Sequence, residues 1–281
     1  MKTIGASLQT HLASEVATVA ICFKITTPSA IILTFTSHTE DVVVSGVRYT
    51  SVNGLSPTAI DTTGSLAVDN LDARGFLHTL GLTNADIHAG KYDGSTLEVF
   101  LVNYADTSMG VVKLRKGFLG NMRWGRVSFD AEVRGIMERY TKELCELYTP
   151  SCRADLGDAR CTVDLTPFTF TGTITSLTNN RKFKDSSRTE ATGYFLGGKL
   201  TWTGGLNSGL AMEVKNWTLG STEFELMLPM PYTVQVGDTY SVHKGCVKTL
   251  AMCRDDFNNI ENFRGEPYVP QTVTMAISAL K

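Results

Sequence analysis

Apolar side chains recur at every second position through much of this chain, the period of a strand whose two faces meet different surroundings. Val16, Val19, Ile21, Phe23 and Ile25 predict one strand. Thr27-Pro28-Ser29 predicts a turn, and Ile31, Leu33 and Phe35 a returning strand. The pattern resumes at Val42-Val43-Val44, crosses a Ser45-Gly46 turn and continues through Val47 and Tyr49. Further strands are expected over Thr58–Asn70, Leu97–Asn103, Val111–Leu119 and Arg126–Met137. Two short helices interrupt them. Leu8 and Leu12 stand four apart within residues 6–13, and Thr83 precedes Asp86 and Ile87 in the manner of an N-cap.

The second half opens on a polar, cysteine-bearing stretch, Glu138 to Leu165, with a helical turn expected at Lys142–Leu147 and ended by Pro150. Thr-rich strands follow at Phe168–Thr175, Thr192–Thr201, Ala211–Leu219 and Glu223–Leu228. Pro229 and Pro231 break the last of them, and Gln235-Val236-Gly237-Asp238 makes a turn before Tyr240 and Val242. Short strands with Gly, Asn and Asp punctuation predict a mainly β protein of tandem barrel or sandwich domains with a few short helices. The change of character near residue 140 divides it into residues 1–140 and a smaller β domain, 141–281.

Composition narrows the class. Hydrophobic residues make up 42%, with 13 Phe, 9 Tyr and 3 Trp, which excludes a disordered chain. Lys plus Arg number 26 against 28 Asp plus Glu, a net charge of −2, so no broad basic surface for nucleic acid or anionic lipid is expected. The most apolar early stretch, Val16 to Phe23, stops at Lys24, far short of a bilayer span, and Ser7, Gln9, Thr10 and Glu15 break any secretory core. The expectation is synthesis in a reducing cytoplasm and no membrane anchor.

Enzyme motifs are missing from the sequence. Gly198-Lys199 is followed by Leu200 and lacks the spacing of a phosphate loop, and there is neither a Gly-x-Ser-x-Gly elbow nor a His-Glu-x-x-His helix. The five histidines, at 11, 38, 78, 88 and 243, are scattered, and Asp255-Asp256 reads as a solvated face.

The cysteines are more informative. Cys152 and Cys161 lie nine apart, Cys246 and Cys253 seven apart, in two distant segments. Four thiolates from such segments can complete a zinc site or an iron–sulfur cluster. Zinc knuckles favour two to four residues between cysteines, and these wider gaps suit a larger cluster. Ordinary core thiols and a pair of disulfides are the competing readings. Arg153, Asp155, Asp158, Arg160 and Lys244-Gly245 around them argue against plain core filling and predict lowered thiol pKa values. Cys22 and Cys145 read as buried thiols.

The run Tyr148-Thr149-Pro150-Ser151-Cys152-Arg153-Ala154-Asp155-Leu156-Gly157-Asp158-Ala159-Arg160-Cys161 resembles a motif of tail-tip hub proteins of long-tailed phages. That family includes the DUF2163 (phage BR0599-type) proteins, the gene transfer agent hub protein and, more distantly, the minor tail protein L of phage lambda. The resemblance extends to Gly245-Cys246-Val247-Lys248-Thr249 through Cys253 and to Phe257–Pro267 with its Asn-Phe-Arg-Gly run. In the first half it takes in Phe35-Thr36-Ser37-His38, Gly46-Val47-Arg48-Tyr49, Asp86-Ile87 with Gly90–Gly94, and Glu132-Val133-Arg134-Gly135. Thr39 departs from it, standing where the family tends to carry an acidic residue.

The resemblance implies a structural, non-enzymatic subunit of a virion tail tip, or baseplate hub. It implies a homotrimer joining the distal tail protein to a central fibre or spike protein, with DNA passing through the lumen without sequence-specific binding. It also implies that Cys152, Cys161, Cys246 and Cys253 hold a [4Fe–4S] cluster, with zinc the alternative metal. Phe257 and Phe263 are then expected near the cluster, Asn258, Asn259 and Asn262 in hydrogen bonds to an irregular loop, and Arg254 and Arg264 as donors toward the sulfurs. Two other functions fit the cysteines: a soluble iron–sulfur or zinc enzyme or redox protein, and a zinc-stapled carbohydrate-binding module.

Overall fold

The computed structural model describes residues 4–51, 56–57, 70–76, 83–124, 128–135, 140 and 145–269. The chain divides into two compact units, Met1–Glu143 and Leu144–Lys281.

The first unit begins with helix α1 (Ala6–Leu12), whose Leu8 is fully buried, and continues through strands β1 (Val19–Thr26), β2 (Ile32–Thr36), β3 (Val42–Val44), β4 (Val47–Ser51), β5 (Ser56–Pro57) and β6 (Asn70–Phe76). Helix α2 (Asn84–His88) and strands β7 (Thr96–Asn103), β8 (Val111–Trp124) and β9 (Ser128–Arg134) follow. These nine strands form one sheet in the order β3-β4-β2-β1-β7-β8-β9-β6-β5, antiparallel except where β2 and β4 run parallel. Alternation sorts the side chains of β1 and β7 onto two buried faces. Phe23, Ile25, Leu97 and Val99 enter a core with Ile87 and Tyr92, whereas Ala20, Cys22, Phe100 and Val102 pack with Val42, Val44 and Tyr49. The strand expected over Thr58–Asn70 lies outside the described residues up to 69, and β6 begins at Asn70.

The second unit holds β10 (Thr169–Thr173), β11 (Ser176–Asn179), β12 (Lys182–Lys184), β13 (Lys199–Trp202), β14 (Ala211–Thr218), β15 (Glu223–Leu226) and β16 (Thr239–His243), then helix α3 (Leu250–Asp255). Their sheet is antiparallel, in the order β10-β16-β13-β14-β15-β12-β11. Trp202, Trp217, Phe183, Phe195, Phe224 and Tyr240 form its fully buried aromatic core. Truncating such a side chain costs about 3–5 kcal/mol, so this core is what fixes the frame on which the cysteines hang.

Two expectations are corrected. The strand placed over Thr192–Thr201 shrinks to Lys199–Trp202, because Gly193 and Gly197 adopt φ of +83° and +74° and turn the chain instead. The helical turn at Lys142–Leu147 is absent over Cys145–Leu147, which is irregular; residues 142–144 lie outside the described set. The structure adds the hairpin β11–β12 and helix α3, which no periodicity in the sequence marks.

Candidate functional site

The Cys152–Cys161 loop is built around one carboxylate. Asp158 accepts backbone N–H groups from Asp155 (3.0 Å), Arg160 (2.9 Å) and Cys161 (2.6 Å). The Cys161 N–H, foremost among these, holds the Asp158 carboxyl below the usual carboxylate range. Cys246 follows β16, and Cys253 sits in α3, where Thr249 caps the helix by accepting the Met252 N–H at 3.4 Å.

Backbone pairing brings these segments to the last one. Cys152 N–H donates to the Lys248 carbonyl at 2.8 Å, Arg153 N–H to the Arg264 carbonyl at 3.0 Å, and Glu266 N–H to the Thr149 carbonyl at 2.8 Å. Arg153 then closes the seam with a two-pronged guanidinium–carboxylate bond to Glu266, at 2.5 and 2.9 Å. That guanidinium keeps the Glu266 carboxyl well below its ordinary range. Gly265 permits the approach, since a Cβ there would lie 2.6 Å from the Ser151 carbonyl oxygen.

As a result Cys152, Cys161, Cys246 and Cys253 line one small cavity together with Leu156 and Phe257. All six cysteines of the chain are free thiols, so no disulfide joins them. Among the described residues no three His, Cys, Asp or Glu side chains converge as a single metal ion requires. One zinc holds each sulfur at about 2.3 Å, which places its thiolates within about 4 Å of one another. Four soft thiols lining one cavity are the kind of donors that thiolate-bound metals and iron–sulfur groups use.

N–H groups already point at the sulfurs. The Arg264 backbone N–H reaches Cys152 Sγ at 3.4 Å, Asn259 Nδ2 reaches Cys161 Sγ at 3.7 Å, and the Lys248 N–H bonds to Cys246. Such donors stabilise ligating thiolates. Asn259 Nδ2 also donates to the Cys161 carbonyl at 2.5 Å, and Asn262 Nδ2 to Thr162 Oγ1 at 3.0 Å. The Cys253 thiol donates to the Asn259 carbonyl at 3.2 Å. Of six non-glycine residues with positive φ among those described, Thr162 (60°), Lys248 (59°) and Asn258 (46°) flank this cavity. Backbone strain of this kind collects where side chains are held for a function.

Several expectations change here. Burial pushes the Cys246 and Cys253 thiols above their ordinary pKa, opposite to the lowering that basic neighbours predicted. Burial is the larger cause, and the basic neighbours are paired with carboxylates: Arg153 with Glu266, Arg160 with Glu146 and Lys244 with Asp256. Desolvation therefore wins. Arg254 turns to Asp255 at 2.7 Å and leaves the sulfurs, while Arg264 serves through its backbone. Phe257 lines the cavity and Phe263 does not. Cys145 is exposed rather than buried, and Cys22 is buried in the first unit against Thr36. Asp255 pairs with Arg254, whereas Asp256 pairs with the largely buried Lys244. Sequence reasoning missed Arg153–Glu266 and Asp158, whose roles depend on backbone that only the fold brings near.

Comparison with known proteins defines the class as structural proteins of phage-type tails. Residues 5–164 match the model of the family described as "Baseplate hub protein, N-terminal attachment domain", and residues 193–272 that of "Phage conserved hypothetical protein BR0599". Cys152 and Cys161 fall in the first match, Cys246 and Cys253 in the second. A chain in a solved structure titled "Virion of native gene transfer agent (GTA) particle" superposes with a TM-score of 0.78 at 32% identity, covering 96% of this chain and 94% of that one. A search of curated proteins finds no match. The first family match spans more than half of the sequence, and the chain belongs to the baseplate hub protein family.

Proposed function

We propose that this chain is a hub subunit of the tail tip of a siphovirus-like phage or gene transfer agent, carrying a [4Fe–4S] cluster on Cys152, Cys161, Cys246 and Cys253. It works as a homotrimer, joining the distal tail protein to a central fibre or spike protein around a lumen for DNA, and its role is architectural. The observation that carries this reading is the meeting of four cysteines from two remote segments at one cavity, in a chain whose family and structural likeness are to virion parts. Bound there, the cluster supplies a cross-link. The residues do the rest: Asp158 shapes the first cysteine loop, Arg153 and Glu266 close the seam, and Arg264, Asn259 and Lys248 offer N–H groups to sulfur.

The test is purification without oxygen, followed by iron and sulfide analysis and sizing of the native chain. Equal iron and sulfide, a brown colour lost in Cys152→Ser, and a threefold assembly support the reading. Stoichiometric zinc without sulfide would overturn the cluster, and turnover of a small substrate by the coloured protein would move it to the redox enzymes.

A further inference from the structure

Lys244 immediately follows β16, two residues before Cys246, yet its side chain is only 14% exposed. Its ammonium sits over three aromatic rings, Tyr194 at 5.1 Å, Phe257 at 5.2 Å and Phe168 at 5.8 Å, and against Asp256 Oδ2 at 3.2 Å. Phe168 and Phe257 meet edge to face at 5.3 Å, and Tyr194 leans on Phe195 of the aromatic core at 5.1 Å. The backbone repeats the pattern: Lys244 N–H donates to the Phe168 carbonyl at 2.9 Å, and Gly245 N–H to the Tyr194 carbonyl at 3.0 Å.

The box is informative for what it joins. Lys244 leads into Cys246, Asp256 and Phe257 come three and four residues after Cys253, and Phe168 ends the turn before β10, seven residues after Cys161. Phe257 belongs both to the box and to the lining of the cysteine cavity. An apolar side chain would fill a box of three rings at lower cost, because a buried ammonium forfeits hydration that cation–π contacts and one carboxylate only partly return. A charge kept in such a place buys specificity of position.

We propose that Lys244 is the positioning residue of the cysteine cavity: its caged ammonium pins the arms bearing Cys246 and Cys253 to the aromatic core, so that the thiols are spaced before a cluster arrives. This rests on the cluster reading above, and the experiment separates the two. Full-length wild type, Lys244→Met and Lys244→Arg are compared by two measurements. One is the rate at which a chelator strips iron after anaerobic reconstitution. The other, in metal-free protein, is alkylation of Cys253 relative to the exposed Cys145, read by mass spectrometry.

Lys244→Met is expected to lose iron about tenfold faster, the usual scale for a support behind a metal ligand, and to expose Cys253 to alkylation, while Lys244→Arg restores both. Wild-type behaviour of Lys244→Met in both measurements overturns the proposal, as does failure of Lys244→Arg to rescue. If wild type takes up no iron, the cluster reading fails and the alkylation comparison alone decides the role of Lys244. If Lys244→Met loses the near-ultraviolet signal of the tryptophan core, Tyr194→Leu, which opens the box without touching the cavity lining, is judged by the same two results.

Discussion

Asp185 has no exposed surface, and four hydrogen bonds converge on its carboxylate. Its carboxylate accepts from Tyr240 Oη at 2.6 Å, Thr173 N–H at 3.2 Å, Ser187 N–H at 2.9 Å and Ser187 Oγ at 2.6 Å. Burial pushes its pKa up, but the bonds from Ser187 and Tyr240 outweigh that and leave it below the ordinary value of 3.8. A carboxyl lowered in the folded state contributes stability that is complete above the unfolded value and lost as pH falls through the folded one. Asp185→Ala strands the Tyr240 hydroxyl in an apolar core and is expected to cost about 3 kcal/mol in urea unfolding followed by tryptophan fluorescence. Asp185→Asn is expected to flatten the acid limb of the stability curve. Nothing in Lys184-Asp185-Ser186-Ser187 marks this aspartate off from a surface turn; its neighbours, from Gly172 to Tyr240, are gathered only by the sheet. The same holds for Glu266, which meets Arg153 across 113 residues.

Elements were legible where their signal is local. The alternation of β1 to β4 and β7 needs only neighbouring residues, and so does the Thr83 cap, whose Oγ1 accepts the Asp86 N–H at 3.1 Å. Thr83→Ala is expected to lower the stability of the first unit by about 1 kcal/mol, measured by chemical unfolding. Helix α3 leaves little mark on the sequence because six residues are too few to declare a helical period. The β11–β12 hairpin hides behind polar Asn179-Asn180-Arg181, whose turn is held by the Asn179 side chain accepting from the Arg181 and Lys182 N–H groups at 2.9 Å. Glycine decides the stretch between Phe195 and Cys246: a Cβ on Gly245 would collide with the Leu196 carbonyl. Gly245→Ala is expected to shift the exit of β16 and reduce iron uptake. Gly193→Ala, with open space around it, should strain only its own turn and spare iron uptake.

For the whole molecule, the proposed cluster joins segments on either side of the second unit's sheet. From Cys161 to Cys246 the closed loop is about 85 residues, a constraint worth roughly 4–5 kcal/mol in the loop-entropy treatment of cross-links. Stripping the cluster with chelator and oxidant is therefore expected to lower the melting temperature of the second unit, reported by buried Trp202 and Trp217, and to leave the first unit's transition in place. A melt that does not move would argue against a structural role for any bound group. By itself the sequence determined the β-rich class, the Thr83-capped helix α2, the family and the four cysteines, because strand period, caps and motifs are written in residues close along the chain. Tertiary structure decided which thiols are buried, which cations are already spent on carboxylates, that Cys145 stays outside, and that Lys244 is boxed by aromatic rings. Each of those depends on groups brought together from distant positions, where desolvation and pairing, rather than residue type, set the outcome.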